Sequence, residues 1–149
     1  MKTAKYFTRI MLLFIFGICL HSCLRIVPVD VVMIDNELFF VLEEEHEITY
    51  LEVSEAKAAP GSASKSFWLL GYDASTPVKS RKYLKLQQIR YGQKFEEFQI
   101  TKGPFELQKN VEYLVDIKMG GAFAREVFII TSDNKVIMPH RKVKGKSTE

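Results

Sequence analysis

Hydrophobic and polar positions alternate with a period of two over most of the chain, in short runs closed by turn residues. Val27, Val29, Val31 and Met33 fall on one face of "RIVPVDVVMI", the side-chain period of an extended strand. Pro28 has no amide proton for a sheet ladder, which suits an opening or edge strand. The pair Asp35-Asn36 reads as a turn, and "ELFFVL" returns from it as the second arm of a hairpin. Further β-rich segments lie at 47–56, 66–73, 82–92, 95–101, 111–119 and 125–131. They are separated by turn clusters such as "APGSAS", "DASTP", "KGP" and "SDN". The clearest is "VEYLVDIKMGG", where Tyr113, Val115, Ile117 and Met119 alternate with Glu112, Leu114, Asp116 and Lys118. Gly120-Gly121 then supplies a two-residue hairpin turn. In 82–92 the apolar positions fit neither a strand nor a helix period cleanly. Eight short strands with regular turn signals predict an all-β antiparallel sandwich.

Some residues point to a particular kind of sandwich. Leu107 lies six positions before Tyr113, which opens a strand. That spacing resembles the tyrosine corner of immunoglobulin-like and fibronectin type III-like sandwiches, in which the phenol hydroxyl bonds back to upstream backbone. Trp68, inside "FWLLGY", is expected to plug the space between the sheets. Phe39 and Phe40 adjoin in one strand, Phe67 and Trp68 in another. Alternation therefore predicts that one member of each pair faces outward, as an anchor for a protein partner.

Residues 10–20, "IMLLFIFGICL", break the pattern with an unbroken apolar run behind Lys2, Lys5 and Arg9. Eleven helical residues reach roughly 16 Å, about half of a hydrocarbon core some 30 Å thick. A basic start, a short apolar run and a small residue at the cut describe an export signal. "Leu20-His21-Ser22-Cys23" is similar to the lipobox of bacterial lipoproteins, with cleavage between Ser22 and Cys23. The resemblance implies a diacylglycerol on the Cys23 thiol and acylation of its new amine. Two or more chains are needed for a stable anchor, because a single one gives a partition constant of only about 10⁴ M⁻¹. By the usual sorting rule, Leu24 in place of an aspartate implies the outer membrane, with the domain facing the periplasm. The expected organisation is a signal peptide over 1–22, a β-sandwich over 23–139 and a basic flexible tail over 140–149.

Removing residues 1–22 changes the charge picture. The whole chain carries a net +3, and the three bases of the signal leave 18 Lys and Arg against 18 Asp and Glu. A neutral mature chain gives no electrostatic case for nucleic acid. Cys19 leaves with the signal and Cys23 is spent on the anchor, so no thiol remains for a disulfide or a thiolate site. His46, in the acidic run "EEEHE" (43–47), and His140, in the tail, are the two histidines left. The run is expected to form a solvated loop between strands, not a metal site, and no cofactor motif appears. Arg141, Lys142, Lys144 and Lys146 make the tail basic, as a solubilising end or a contact for an acidic surface.

A lipobox followed at once by a strand, the "LFFV" hairpin, a central aromatic strand and a late "EYLVDI" strand resemble the small periplasmic lipoproteins described as immunity proteins of type VI secretion systems. The resemblance implies a non-enzymatic guard, anchored in the membrane through its lipid, that binds an incoming toxic effector in the periplasm. Two other classes fit the same sequence. One is a structural or assembly lipoprotein whose sheet edge accepts a partner's strand. The other is an enzyme acting on glycan or lipid through scattered carboxylates.

Overall fold

A computed structural model describes residues 25–57, 64–73 and 75–141. The anchor candidate Cys23, the cleavage residue Ser22 and most of the tail lie outside the described residues. The fold is all-β. Its strands are β1 (Arg25–Ile26), β2 (Val29–Ile34), β3 (Glu37–Glu55), β4 (Ser66–Gly71), β5 (Leu84–Arg90), β6 (Ile100–Lys102), β7 (Glu112–Met119), β8 (Ala122–Ile130) and β9 (Val136–Ile137). A 3-10 turn covers Val78–Ser80. The main path of the sheet runs β1-β8-β7-β3-β4-β6, with β2 and β5 also on β3, and β9 on β8. Among the described residues only β1 and β8 pair in parallel, which makes the sheet mixed.

Strand β3 organises the whole molecule. Its first half pairs with β2 and β5, and its second half with β7 and β4. Between them the register breaks: Val41 stands opposite Gln88, while His46 stands opposite Leu86. Five steps along β3 thus face two along β5, a large bulge at which the strand bends and passes from one layer to the other. The acidic run 43–47 lies in this bend. It is continuous strand and not the interstrand loop expected from its charge, because Glu43, Glu44, Glu45 and Glu47 all point into solvent from the bulged backbone.

Alternation holds where both partners are regular. Val27, Val29 and Val31 are buried, as are Leu38, Phe40 and Leu42 across the first hairpin, whose turn residues Asp35 and Asn36 adopt φ 49 and 66. Tyr113, Val115, Ile117 and Met119 point into the core, and Met119 pairs with Ala122 around the Gly120-Gly121 turn. The strand expected at 82–92 forms as β5. Of the segment 95–101 only Ile100 and Thr101 enter a strand, and the rest is a loop packed through Phe95 and Phe98.

The two chain ends meet on one seam. β2 packs beside β8 without pairing to it. Arg141 bridges the gap: its guanidinium donates to the Asp30 carboxylate, to Glu126 Oε2 at 3.1 Å and to the Val29 carbonyl at 2.7 Å. Burial alone would lower the pKa of Arg141, but the carboxylates of Asp30 and Glu126 hold it above its usual value. Arg141, two residues past the expected boundary at 139, is thus bonded to β2 and β8. We expect Arg141→Ala to cost about 2 kcal/mol in urea unfolding, since it leaves the carboxylate of Glu126, only 14% exposed, without its partner. Adding Glu126→Gln should recover part of that loss, and strict additivity of the two changes would refute the bridge.

Candidate interaction surface

Two surface cavities among the described residues lie at the end opposite β1. Left-handed backbone gathers there: Asp35 and Asn36 in the first hairpin turn, Asn110 before β7 and Asn134 after β8. Aspartate and asparagine tolerate this conformation because their short polar side chains bond locally. Asn134 Nδ2 donates to Asn36 Oδ1 at 2.7 Å, tying the β2–β3 turn to the β8–β9 loop. Beside this link lies a shallow cup of about 270 Å³, crossed by an ion pair of 2.8 Å between Arg90 and Glu37 and walled by Met33 and Leu107.

The larger cavity, about 370 Å³, is a cleft between the turn at Gly92–Glu96 and the segment Thr101–Pro104, with the fully buried Trp68 behind it. Its walls depend on two glycines at φ +78. A Cβ on Gly103 would lie 2.1 Å from the Phe67 carbonyl oxygen, and one on Gly92 would lie 2.8 Å from Pro104 Cγ. At Gly103 the facing atom is backbone and leaves no room for a side chain, while at Gly92 the Pro104 ring would have to shift, and the positive φ strains any side chain at either position. The Tyr91 hydroxyl donates to the Phe105 carbonyl at 2.7 Å, and the Phe105 amide donates to the Phe67 carbonyl at 2.9 Å, which fixes the wall to β4. Phe95 and Pro104 give the cleft apolar surface, while Gln93, Lys94 and Glu96 give it polar groups. An apolar floor with polar groups around it is suited to receiving a bulky side chain or small apolar group.

The residues singled out from the sequence divide between core and surface. Phe39 is half-buried and Phe40 fully buried, as alternation requires. Phe67 and Trp68 are both buried, contrary to the expectation that one of them faces solvent. Val53 pairs with Trp68 and Ser54 with Ser66, so Phe67 is the extra residue of a β-bulge that lets neighbouring side chains both turn inward. Phe67 then packs edge-on against Tyr113 at 5.1 Å, and Trp68 against Tyr91 at 5.2 Å. Phe40 and Phe67 are thus core residues, Trp68 is reached only through the back of the cleft, and Phe39 is the half-buried member of the four. Tyr113 is fully buried and its hydroxyl accepts the Gln108 amide proton at 2.8 Å, one residue beyond Leu107, which lines the cup. The hydroxyl is thus bonded to backbone five residues upstream.

His46 sits at the β3 bend with its side chain 14% exposed. Its Nε2 lies 3.6 Å from Glu44 Oε1, too far for a hydrogen bond, and has no other partner among the described residues. His140 is exposed. No group of three or more His, Cys, Asp and Glu side chains converges among the described residues, and no helix among them is long and apolar enough to cross a membrane. Sequence reasoning missed the cleft. The signals for it were Gly92 and the Gly103-Pro104 pair, which read only as turn punctuation. Comparison of the chain with protein-family models, curated proteins and solved structures finds no match.

The buried phenols respond to pH. Burial holds the Tyr113 hydroxyl above the usual 10.0, opposed by the Gln108 bond, which favours phenolate, and aided by the charge of Glu55. Tyr50 is raised by burial and by its bond to Glu52, and Tyr91 by burial and the neighbouring Tyr113. A folded pKa above the unfolded one contributes stability that is complete below pH 10 and is lost as pH rises beyond it. Urea midpoints should therefore stay level up to about pH 9.5 and fall above 10, a window set by the ordinary tyrosine pKa of about 10. Tyr113→Phe should lower stability at neutral pH by about 1 kcal/mol and make the alkaline fall shallower. An unchanged alkaline slope would show that the Tyr113 hydroxyl contributes nothing to the fall.

Proposed function

We propose that the protein is a lipid-anchored binding protein of the bacterial envelope that works by docking a protein partner, as an immunity protein blocking a type VI secretion effector does. One observation carries the reading: β1 begins at Arg25, two residues after Cys23. Two peptide steps span at most about 7 Å, so an anchor at Cys23 holds the β1 end of the domain against the bilayer. β1 and β2 together run from Arg25 to Ile34, roughly 30 Å of extended chain, and the cup and the cleft lie at the far end. Such an anchor presents both cavities away from the membrane, where a soluble partner arrives. Orientation by the lipid replaces a long linker.

Exposed surface supports the same arrangement. Ile26, beside the anchor position, is 69% exposed, as a residue next to lipid headgroups can be. The neutral mature charge leaves shape and local charge pairs to select the partner. A second reading, a subunit of an envelope assembly that accepts a partner's strand, is favoured by the unpaired outer edge of β5.

The anchor is tested on the native product. Its intact mass should lack residues 1–22 and carry diacylglycerol and a further acyl chain, and it should sediment with outer membranes. Cys23→Ser should abolish both the added mass and the membrane association. A product that keeps its first 22 residues, or an unmodified Cys23, would sink this reading. The immunity role is tested by directing the product of the adjacent gene to the periplasm: cells with the intact chain should grow and cells without it should lyse.

A further inference from the structure

Between Asp73 and Glu96 the chain carries six basic residues and no acid, whereas residues 23–149 as a whole carry 18 Lys and Arg against 18 Asp and Glu. The structure places this stretch in the β4–β5 connection, along β5 and into the turn that follows. Lys79, Lys82, Lys85 and Lys94 are exposed, and none has an ion-pair partner among the described residues. Arg90 is taken up by Glu37, and Arg81 stacks over Tyr72 while donating to the Thr76 carbonyl. Apolar groups lie among the cations. Val78 is 65% exposed and Tyr83 37% exposed, and the latter extends a row of rings through Tyr72 to Phe98.

β5 pairs only with β3, and no second strand among the described residues lies on its outer side. The outward backbone groups can be located. The Tyr91 amide donates to the Leu38 carbonyl, which makes Phe39 and Arg90 a non-bonded pair and turns the amide and carbonyl of Arg90 away from β3. Both are already taken by Gln93, through its side-chain oxygen and its amide. The same alternation directs the amide and carbonyl of Gln88 outward. Beyond the bulge the Glu47 carbonyl accepts from Gly120 on the far side of β3, which makes Glu47 and Lys85 a non-bonded pair and turns the amide and carbonyl of Lys85 outward. Nothing described caps either residue. The free edge is therefore Leu84–Gln88, flanked by lysines.

We propose, building on the reading of the protein as a binding module, that this edge takes up an extended acidic segment of the partner, which adds as a further strand beside β5. Charge chooses among the occupants. A second copy of the chain would set lysines against lysines, the arrangement by which edge strands resist self-pairing. An anionic membrane would meet the exposed glutamates of the β3 bend, since Glu47 pairs across from Lys85 and His46 from Leu86. The cations are also strung along the strand, from Lys85 near the bend to Lys94 at the opposite end. A chain running parallel to β5 meets them all, whereas a planar surface does not. A partner strand contributes main-chain hydrogen bonds, its carboxylates face the lysines, and apolar residues between them rest on Val78 and Tyr83.

The test uses the full-length chain in detergent and a capped ten-residue peptide alternating glutamate and valine, with a lysine–valine peptide as control. The glutamate peptide should bind at least tenfold more tightly than the control, weaken as salt is raised, and slow hydrogen exchange within Leu84–Gln88. Lys82→Glu with Lys85→Glu should reduce binding tenfold or more. Gln88→Pro, which removes one outward amide without changing charge, should do the same. Equal binding of the two peptides, protection confined to another edge, or binding only to phosphatidylglycerol vesicles would overturn the proposal. An unmodified Cys23 would leave these measurements unaffected, so a failed anchor and a failed edge are told apart.

Discussion

The domain depends on the one strand that belongs to both of its layers. Among the described residues four strands hydrogen-bond to β3, and the next most connected strand, β8, has three partners. A nineteen-residue strand is far longer than the usual five or six and cannot stay flat under the natural twist of a sheet. The bulge between Val41 and His46 releases that strain by letting the chain turn. It also explains how five charged or polar residues in succession can sit in mid-strand. At the bend the backbone departs from the alternation that would drive every second side chain into the core, and four glutamates reach water together.

Within the two halves of β3 a single aromatic assembly fills the interior. Phe40 stacks on Trp68 and meets Phe128 edge-on, Phe128 lies against Tyr113, and Tyr113 meets Phe67. Rings from β3, β4, β7 and β8 thus contact one another directly, and the layers are held by packing between parts of the chain distant in sequence. Such contacts contribute beyond the area they bury, through edge-to-face geometry. The buried phenol of Tyr113 adds a polar bond at the margin of this assembly, which orients the connection leading into β7.

Regular alternation made β2, the first hairpin and β7 readable from residue order alone, because one buried face and one solvated face repeat every two residues. The features hidden from that reading all involve departures from the period. Phe67 and Trp68 look like one inward and one outward residue until the bulge opposite Val53 and Ser54 is known, and a bulge leaves no mark on composition. The run 43–47 looks like a loop because charge is a stronger local signal than the long-range pairing with β5. The cleft is formed by Gly92 against Pro104 and Gly103 against Phe67, contacts between segments that no window of sequence brings together. Arg141 was invisible for the same reason: its three partners lie on β2 and β8, more than a hundred residues away or across a sheet.

The parallel pairing of β1 with β8 has a mechanical meaning. A pull on the chain at residue 23, directed along β1, does not peel that strand away one bond at a time. It slides β1 lengthwise against β8, straining its bonds together, and then passes into the six-residue ladder between β2 and β3. Arg141, which grips Val29 and Asp30 from the other side, resists the same displacement. A domain tethered by its first residues while a bound partner drags on the opposite end would thus transmit that tension in shear through its best-packed layer.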